Sequence, residues 1–493
     1  MLYSYHNFLF PFRFDKGLDT QGDRHSFYKN ELFEKRVFFD KSILEANGWC
    51  YKQFEVDTHL DYNELVYFYD FVKDALFNTQ TFHDNATSYF FEKEKINKEY
   101  IIKVKEEEKP YKLQLTSISL RIFDTGVAIL SFSVENHKYK DLEDILKINE
   151  FGRRVYPQFL NEEFSLEATR RAFLAEYISV NGVQERFIRK EYKNIQLANF
   201  ITQTLGKNFV KNYGIQPLLD DRMFVICWYG SDTFSEELSE NNYEENDDWY
   251  KYVFVDNTKM VQNNAMQKDL IENATYTRWQ GYGTLYGITR YSFMCVTSSQ
   301  KSLHENNAVF LINHMKTIYF QMVILLLAQR TSILRFSDEI TAISDIEEGN
   351  KDLTKKISNL HKHYLRFKNK LYFKEVTPQE QGIELYDKAR DTMRIDSDIR
   401  DLSYEIQSLN SYAFIEEEKL EKEQMNKLTK LGTIFLPGTF IAGVFGMNVF
   451  PSNWIENPAG VLLAFIVIGG VTHYITSIND INIKEFFTKD KNE

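Results

Sequence analysis

Gly446-Met447-Asn448 and, eight positions further on, the acid Glu456 stand between two long runs that carry no charge. The amide of Asn448 and the neighbouring backbone carbonyls are hard oxygen donors, and several copies of such a chain would arrange them as a ring. Mg2+ gives up its waters reluctantly and favours hard oxygen ligands. Such a ring therefore suits capture of the hydrated ion through its water shell, whereas a ring of carboxylates would hold it more tightly and release it more slowly. Glu456 is the sole charge in the loop 451–458. It either raises the local cation concentration electrostatically or is an ordinary solvated loop acid, and the residue type supports both.

The elements that must position these groups are the two runs themselves. From Leu431 to Trp454 there is no charged side chain, and from Ala459 to Ser477 there is again none. Each approaches the ~20 residues needed to cross ~30 Å of hydrocarbon. The expected organisation is a first transmembrane helix at 431–450, an extracytoplasmic loop at 451–458, a second helix at 459–478 and a tail at 479–493. Lys419, Lys422, Lys427 and Lys430 precede the first run and Lys484, Lys489 and Lys491 follow the second, while Pro451 to Pro458 holds no Lys or Arg. By the positive-inside rule both termini are cytoplasmic. His473 in the second run is expected to be neutral.

Upstream, Ile383 to Leu431 contains neither Pro nor Gly, which predicts a stalk helix over 383–430 within a helical region 301–430. Ile395, Ile399, Leu402, Ile406, Leu409 and Ala413 recur at steps of three and four, a seam that needs a partner helix. Continuing that spacing places Met425, Leu428, Gly432, Leu436, Thr439 and Gly443 on one face, with Ile434, Phe435, Phe440 and Ile441 elsewhere. On periodicity alone the stripe serves close helix packing or lines a pore built from several copies, with Met425, Leu428 and Leu436 as hydrophobic rings able to gate by dewetting. Pro437 would kink the helix unless its freed carbonyl is satisfied otherwise.

The stretch "MNKLTKLGTIFLPGTFIAGVFGMN" resembles the signature of the CorA family of divalent-cation channels, a Thr-Ile-Phe-x-Pro-x-Thr-Phe-Ile-Ala-Gly core closed by Gly-Met-Asn. The resemblance is close over Met425 to Ile478, with a weaker likeness at "LLLAQRTSILRFSDEI". It implies an inner-membrane homopentamer with an α+β cytoplasmic domain (1–300), long stalk helices and a two-helix transmembrane hairpin, and Mg2+ as the transported ion. Carried over residue by residue, it makes Gly446, Met447 and Asn448 the selectivity motif and Met425, Leu428, Gly432, Leu436, Thr439 and Gly443 the pore lining. The sequence departs from the family at "NWIENP", where Met-Pro-Glu is usual, and at "KEFFTKDKNE", where a basic cluster is usual.

The remainder is water-soluble in character: 493 residues, 26% of them charged, with a formal net charge of −12 and a mean hydropathy of −0.42. That balance argues against nucleic acid as a partner and suits a cation. Cys50, Cys227 and Cys295 lie too far apart for a thiolate zinc site or a disulfide framework. "LQLTSISLRIFDTGVAILSFSV" reads as a hairpin turning at Asp124-Thr125-Gly126, followed by a helix over Asp141 to Phe151, and "RMFVICWYG", "WYKYVFVD" and "TRYSFMCVTS" read as strands. His304 to Phe373 reads as helical; its run "MVILLLA" is too short and too closely flanked by Lys316 and Arg330 to span a bilayer.

Seven acids between Glu236 and Asp248 read as a solvated loop, or as carboxylates that bind a regulatory cation through Asp247 and Asp248. "GYGTLYG" has the wrong spacing for a dinucleotide fingerprint and no Walker lysine, so no enzyme and no catalytic cofactor is expected. The alternative function is a signal-gated effector of the same superfamily. CorA-like proteins associated with type III CRISPR antiviral defence have that design, and the resemblance implies a nucleotide second messenger as its cytosolic ligand.

Overall fold

A computed structural model describes residues 1–16, 39–78, 82, 86–105, 107–156, 175–187, 196–240, 243–344, 351–446 and scattered helical positions between 459 and 474. The chain divides into two units, Met1–Asn350 with Lys355–Ser408, and Lys351–Thr354 with Leu409–Glu493.

Among the described residues the first unit holds a mixed sheet of 13 strands. They are β1 Ser4–Lys16, β2 Trp49–Tyr51, β3 Ser88–Lys93, β4 Glu99–Lys103, β5 Tyr111–Phe123, β6 Val127–Asn136 and β7 Tyr177–Val180. The others are β8 Val183–Arg186, β9 Tyr213–Pro217, β10 Phe224–Gly230, β11 Thr275–Tyr276, β12 Leu285–Ile288 and β13 Ser292–Thr297. The main order is β11-β12-β13-β10-β1-β6-β5-β4-β7-β8, antiparallel except where β10 meets β13.

β1 is central because Phe8, Phe10, Phe12 and Phe14 alternate onto one buried face. It also contains Pro11, which cannot donate to a ladder and is normally kept out of central strands. The register explains the exception. On one side β6 pairs from Ser4 to Arg13, while on the other β10 ends at Leu9 and β9 begins at Phe12, so Pro11 falls in the gap between two partners.

Around the sheet lie α1 His59–Val66, α2 Leu142–Gly152, α3 Asp232–Glu240, α4 Asp247–Phe254, α5 Ile318–Ser344, α6 Lys351–Lys370, α7 Glu380–Thr392 and α8 Ile395–Gly446, among other helices such as Asn264–Ala274. The expected hairpin is β5–β6, and the expected helix from Asp141 is α2. "WYKYVFVD" is not a strand. Asn246 accepts the Trp249 N–H as a cap, Asp247 and Asp248 occupy the first turn, and Trp249, Tyr250, Tyr252 and Val253 bury one helical face of α4. The bulky residues have strand composition, but the cap and the three-and-four spacing prevail. For the same reason the acidic run is no simple loop, since it occupies α3, a 3-10 turn at Tyr243–Glu245 and the start of α4.

α5 packs against β1 and β6 with Met322 to Ala328 fully buried. The stretch Phe310–Ile343 is long and apolar enough to cross a membrane. Burial against the sheet, rather than shortness, is what occupies it. The β5–β6 turn is clasped by two helices: Asp124 pairs with Arg366 of α6, the Thr125 hydroxyl meets Ser332 of α5 at 2.7 Å, and the Gly126 carbonyl accepts from Arg335 of α5. Gly126 has φ +75°, and a Cβ there would come within 2.0 Å of Arg335 Nη1, so only glycine fits.

The expected stalk over 383–430 is two helices. α7 stops at Thr392, Arg394 turns left-handed with φ 59°, and α8 starts at Ile395. Buried Arg390 holds the break together by pairing with half-exposed Asp396, which also accepts from the Tyr372 hydroxyl at 2.8 Å. Ile395, Ile399, Leu402, Ile406 and Ala413 are buried as the seam requires, with Leu409 half-buried. Its partner is α6, where Leu353, Ile357, Leu360, Tyr364 and Phe367 form a matching stripe and Tyr364 lies beside Ser403. Lys351–Thr354 group with residues from Leu409 onward, so α6 and α8 run antiparallel.

Candidate ion pathway

In the second unit α8 continues without interruption to Gly446, through Pro437. Of the selectivity residues, Gly446 is the last of α8; Met447, Asn448 and Glu456 lie outside the described residues. All six pore-lining candidates are on α8. At 100° per residue, Met425, Leu428, Gly432, Leu436, Thr439 and Gly443 fall within an arc of about 80°. Met425 and Leu428 are 63% exposed and Leu436 67% exposed; Thr439 and Gly443 are exposed and Gly432 is half-buried.

Hydroxyls in this helix are satisfied locally. Thr429 donates to the Met425 carbonyl, Thr433 to that of Thr429 and Thr439 to that of Phe435. Bonding back to the preceding turn keeps a threonine compatible with an apolar helix. It also leaves the Thr439 oxygen as an acceptor on the stripe, suited to the outward-pointing hydrogens of a metal-bound water. Leu462, Leu463, Ile466 and Tyr474, in the second apolar run, are each at least 59% exposed.

Asp247 and Asp248, the acids offered as a regulatory cation site, are both engaged by lysines. Asp247 accepts from Lys259 at 2.5 Å and from Gln267 at 2.9 Å, contacts that hold its carboxyl below the usual range, and Asp248 pairs with Lys251 at 2.9 Å. A cavity of about 540 Å³ beside Asp247 is lined by Glu244, Glu245, Lys259, Gln267 and Lys268 among others. Among the described residues no group of three or more His, Cys, Asp or Glu is placed to hold a metal.

Sequence reasoning missed two buried charge clusters. One is the clasp on the β5–β6 turn, whose arginines sit more than two hundred positions from Asp124 and announce nothing by spacing. The other surrounds Glu150 at the end of α2. Burial pushes its carboxyl up to about 7, against the pull of Arg153, while its Oε2 accepts the Asn257 N–H at 3.2 Å. Arg153 donates to the Val255 carbonyl at 3.0 Å, and Arg154 pairs with Asp221 at 2.6 Å.

A search of the curated proteins finds no match. Among solved structures, a CorA magnesium transporter from Methanocaldococcus jannaschii aligns at 16% identity over 54% of this chain and 93% of that one, with a TM-score of 0.21. The family profile described as "CorA-like Mg2+ transporter protein" matches residues 299–476, from just after β13 through α5, α6, α7 and α8 into the second apolar run. That match covers a little over a third of the chain, and over residues 299–476 the sequence is similar to CorA-like Mg2+ transporter proteins.

Proposed function

We propose that the chain is a divalent-cation channel that conducts Mg2+ through a pore lined by α8 of several copies, five by analogy with the family. The observation that carries this reading is the stripe of Met425, Leu428, Gly432, Leu436, Thr439 and Gly443, which is exposed or half-exposed on a helix within the CorA-like match. A single helix encloses no pathway, so the stripe faces a lumen only when copies surround it. The two charge-free runs are the spans at 431–450 and 459–478 of an inner-membrane protein with both termini cytoplasmic. Asn448, just past the end of α8, supplies the oxygen ring that receives the hydrated ion at the outer mouth. The ion travels as cargo, and no catalytic step is involved.

Control by a cytosolic ligand is favoured over control by Mg2+ at the acidic run. Residues 1–298 lie outside the family match, and Asp247 and Asp248 are already paired with lysines. In the signal-gated reading that ligand is a nucleotide second messenger and the physiological role is antiviral defence. A ligand gates only by binding the open and closed states unequally. Mg2+ flux into vesicles holding the full chain tests the channel, and thermal unfolding with millimolar Mg2+ or adenine nucleotides tests the controller. Mg2+ stabilisation that disappears in Asp247→Asn/Asp248→Asn, without any nucleotide effect, would reject ligand control.

A further inference from the structure

Among the described elements of this acidic chain, α6 is the most basic. It carries six lysines and Arg366 against the single acid Asp352. Its inner stripe packs on α8 and Arg366 is held by Asp124, but the opposite face presents exposed Lys362 and Lys368 on either side of Leu365, which is 44% exposed. Neither lysine has a carboxylate partner among the described residues. α8 is its electrostatic counterpart. From Ile395 to Glu418 it carries seven acids and one base, Arg400. Asp396, Asp398, Glu416 and Glu418 pair with bases of their own chain. Asp401 and Glu405 remain exposed without such partners among the described residues, on either side of Tyr404, which is 74% exposed. Each helix thus shows a large apolar side chain flanked by two like charges, and the signs are opposite.

The two patches also stand at the same height. Tyr364 lies beside Ser403 in the antiparallel pair, so Lys362 is level with Glu405, and Leu365 with the turn from Asp401 to Tyr404. Rotation about an axis along α8 preserves height, and a ring requires two different surfaces that meet head to tail. We propose that the Lys362-Leu365-Lys368 face of α6 docks on the Asp401-Tyr404-Glu405 face of α8 in a neighbouring copy of this chain. The proposal rests on the multi-copy pore above. An anionic membrane surface is the other basic-face partner. However, Glu405 lies 26 residues before Leu431, where the charge-free run begins. At 1.5 Å per residue that is roughly 40 Å along the helix, several screening lengths from the headgroups.

The test uses the full chain in detergent with Cys50 replaced by Ser, the other two cysteines being buried. Leu365→Cys and Tyr404→Cys are introduced together and the protein is oxidised. A ladder of covalently linked multimers on a denaturing gel is expected. Adding Lys362→Glu and Lys368→Glu should cut its yield about tenfold, because it sets like charges against one another, and the further swap Asp401→Lys/Glu405→Lys should restore it. Particles that contain several copies by native mass spectrometry but give no ladder would overturn this interface and spare the pore. A strictly single-copy particle would overturn both. No ladder, accompanied by binding to phosphatidylglycerol vesicles that the Lys362→Glu/Lys368→Glu reversal abolishes, would assign the face to lipid instead.

Discussion

Asp124, at the tip of the β5–β6 hairpin, is ion-paired with Arg366 of α6, 242 positions away in sequence. The Asp124 side chain is 6% exposed and that of Arg366 30%, so the pair is partly shielded from water. Breaking a fully buried pair costs ~3–5 kcal/mol. With one partner about a third exposed, Arg366→Ala should cost about 2 kcal/mol, chiefly from the carboxylate left without its guanidinium. Asp124→Asn/Arg366→Ala should cost less than Arg366→Ala alone. Thermal unfolding of the full chain in detergent, followed by tryptophan fluorescence, checks the order, and equal losses in the two variants would show that the charge is not what matters.

Glu150 gives a pH dependence of definite sign. Its folded-state value of about 7 lies above the ordinary 4.5, so the folded protein holds a proton that the unfolded chain releases between those values. The associated stability is fully present below about pH 4.5 and is lost as the pH rises towards 7. Glu150→Gln keeps an oxygen for the Asn257 N–H and removes the charge. It should leave stability unchanged near pH 4.5 and raise it by about 2–3 kcal/mol at pH 8. Unfolding midpoints across that range decide, and a variant destabilised at pH 8 would show that the carboxylate is needed by the neighbouring arginines.

If Asn448 forms the proposed oxygen ring, Asn448→Ala should abolish Mg2+ uptake into reconstituted vesicles while the assembled particle keeps its mass, because the change removes that ring and leaves the α6–α8 seam untouched. Wild-type flux through an assembled variant would sink the role of Asn448.

On the proposed pore lining, Leu436→Ser and Met425→Ser replace exposed apolar side chains by hydroxyls. Each should hydrate a constriction and raise basal conductance severalfold, as expected where a hydrophobic ring gates by dewetting. Single-channel or vesicle-leak recordings provide the measurement. Unchanged leak in both variants would move the gate elsewhere on the helix.

Some of this organisation is legible in the sequence because it is local. Asp124-Thr125-Gly126 dictates a turn through a glycine with positive φ, and the seam from Ile395 to Ala413 announces a packed helix by spacing alone. Its partner was equally available in the steps between Leu353, Ile357, Leu360, Tyr364 and Phe367, but the surrounding lysines mask that stripe from a composition reading. Trp249 to Phe254 misleads because aromatic and branched residues suit a strand, and only the Asn246 cap marks the helix. The break at Arg394 carries no Pro or Gly; it is imposed by packing on either side, where Met393 and Ile395 are both buried. The grip of Arg335 and Arg366 on the hairpin depends on tertiary placement, which no spacing records.

α5 has a consequence for how the chain is made. Its stretch is apolar and long enough to be mistaken for a span, and it leaves the ribosome about ninety residues before the first charge-free run at Leu431. Every strand of the sheet, β1 and β6 included, has been synthesised by then. A sheet already folded offers α5 an immediate apolar berth, in keeping with the N-terminal-first order of folding during translation. Arg335 and the buried Gln321 and Gln329 raise the cost of its entry into lipid, by ~2.5–3.5 kcal/mol for an arginine at the centre of a bilayer. Delayed folding of β1 would remove that berth and leave the apolar face of the nascent α5 uncovered.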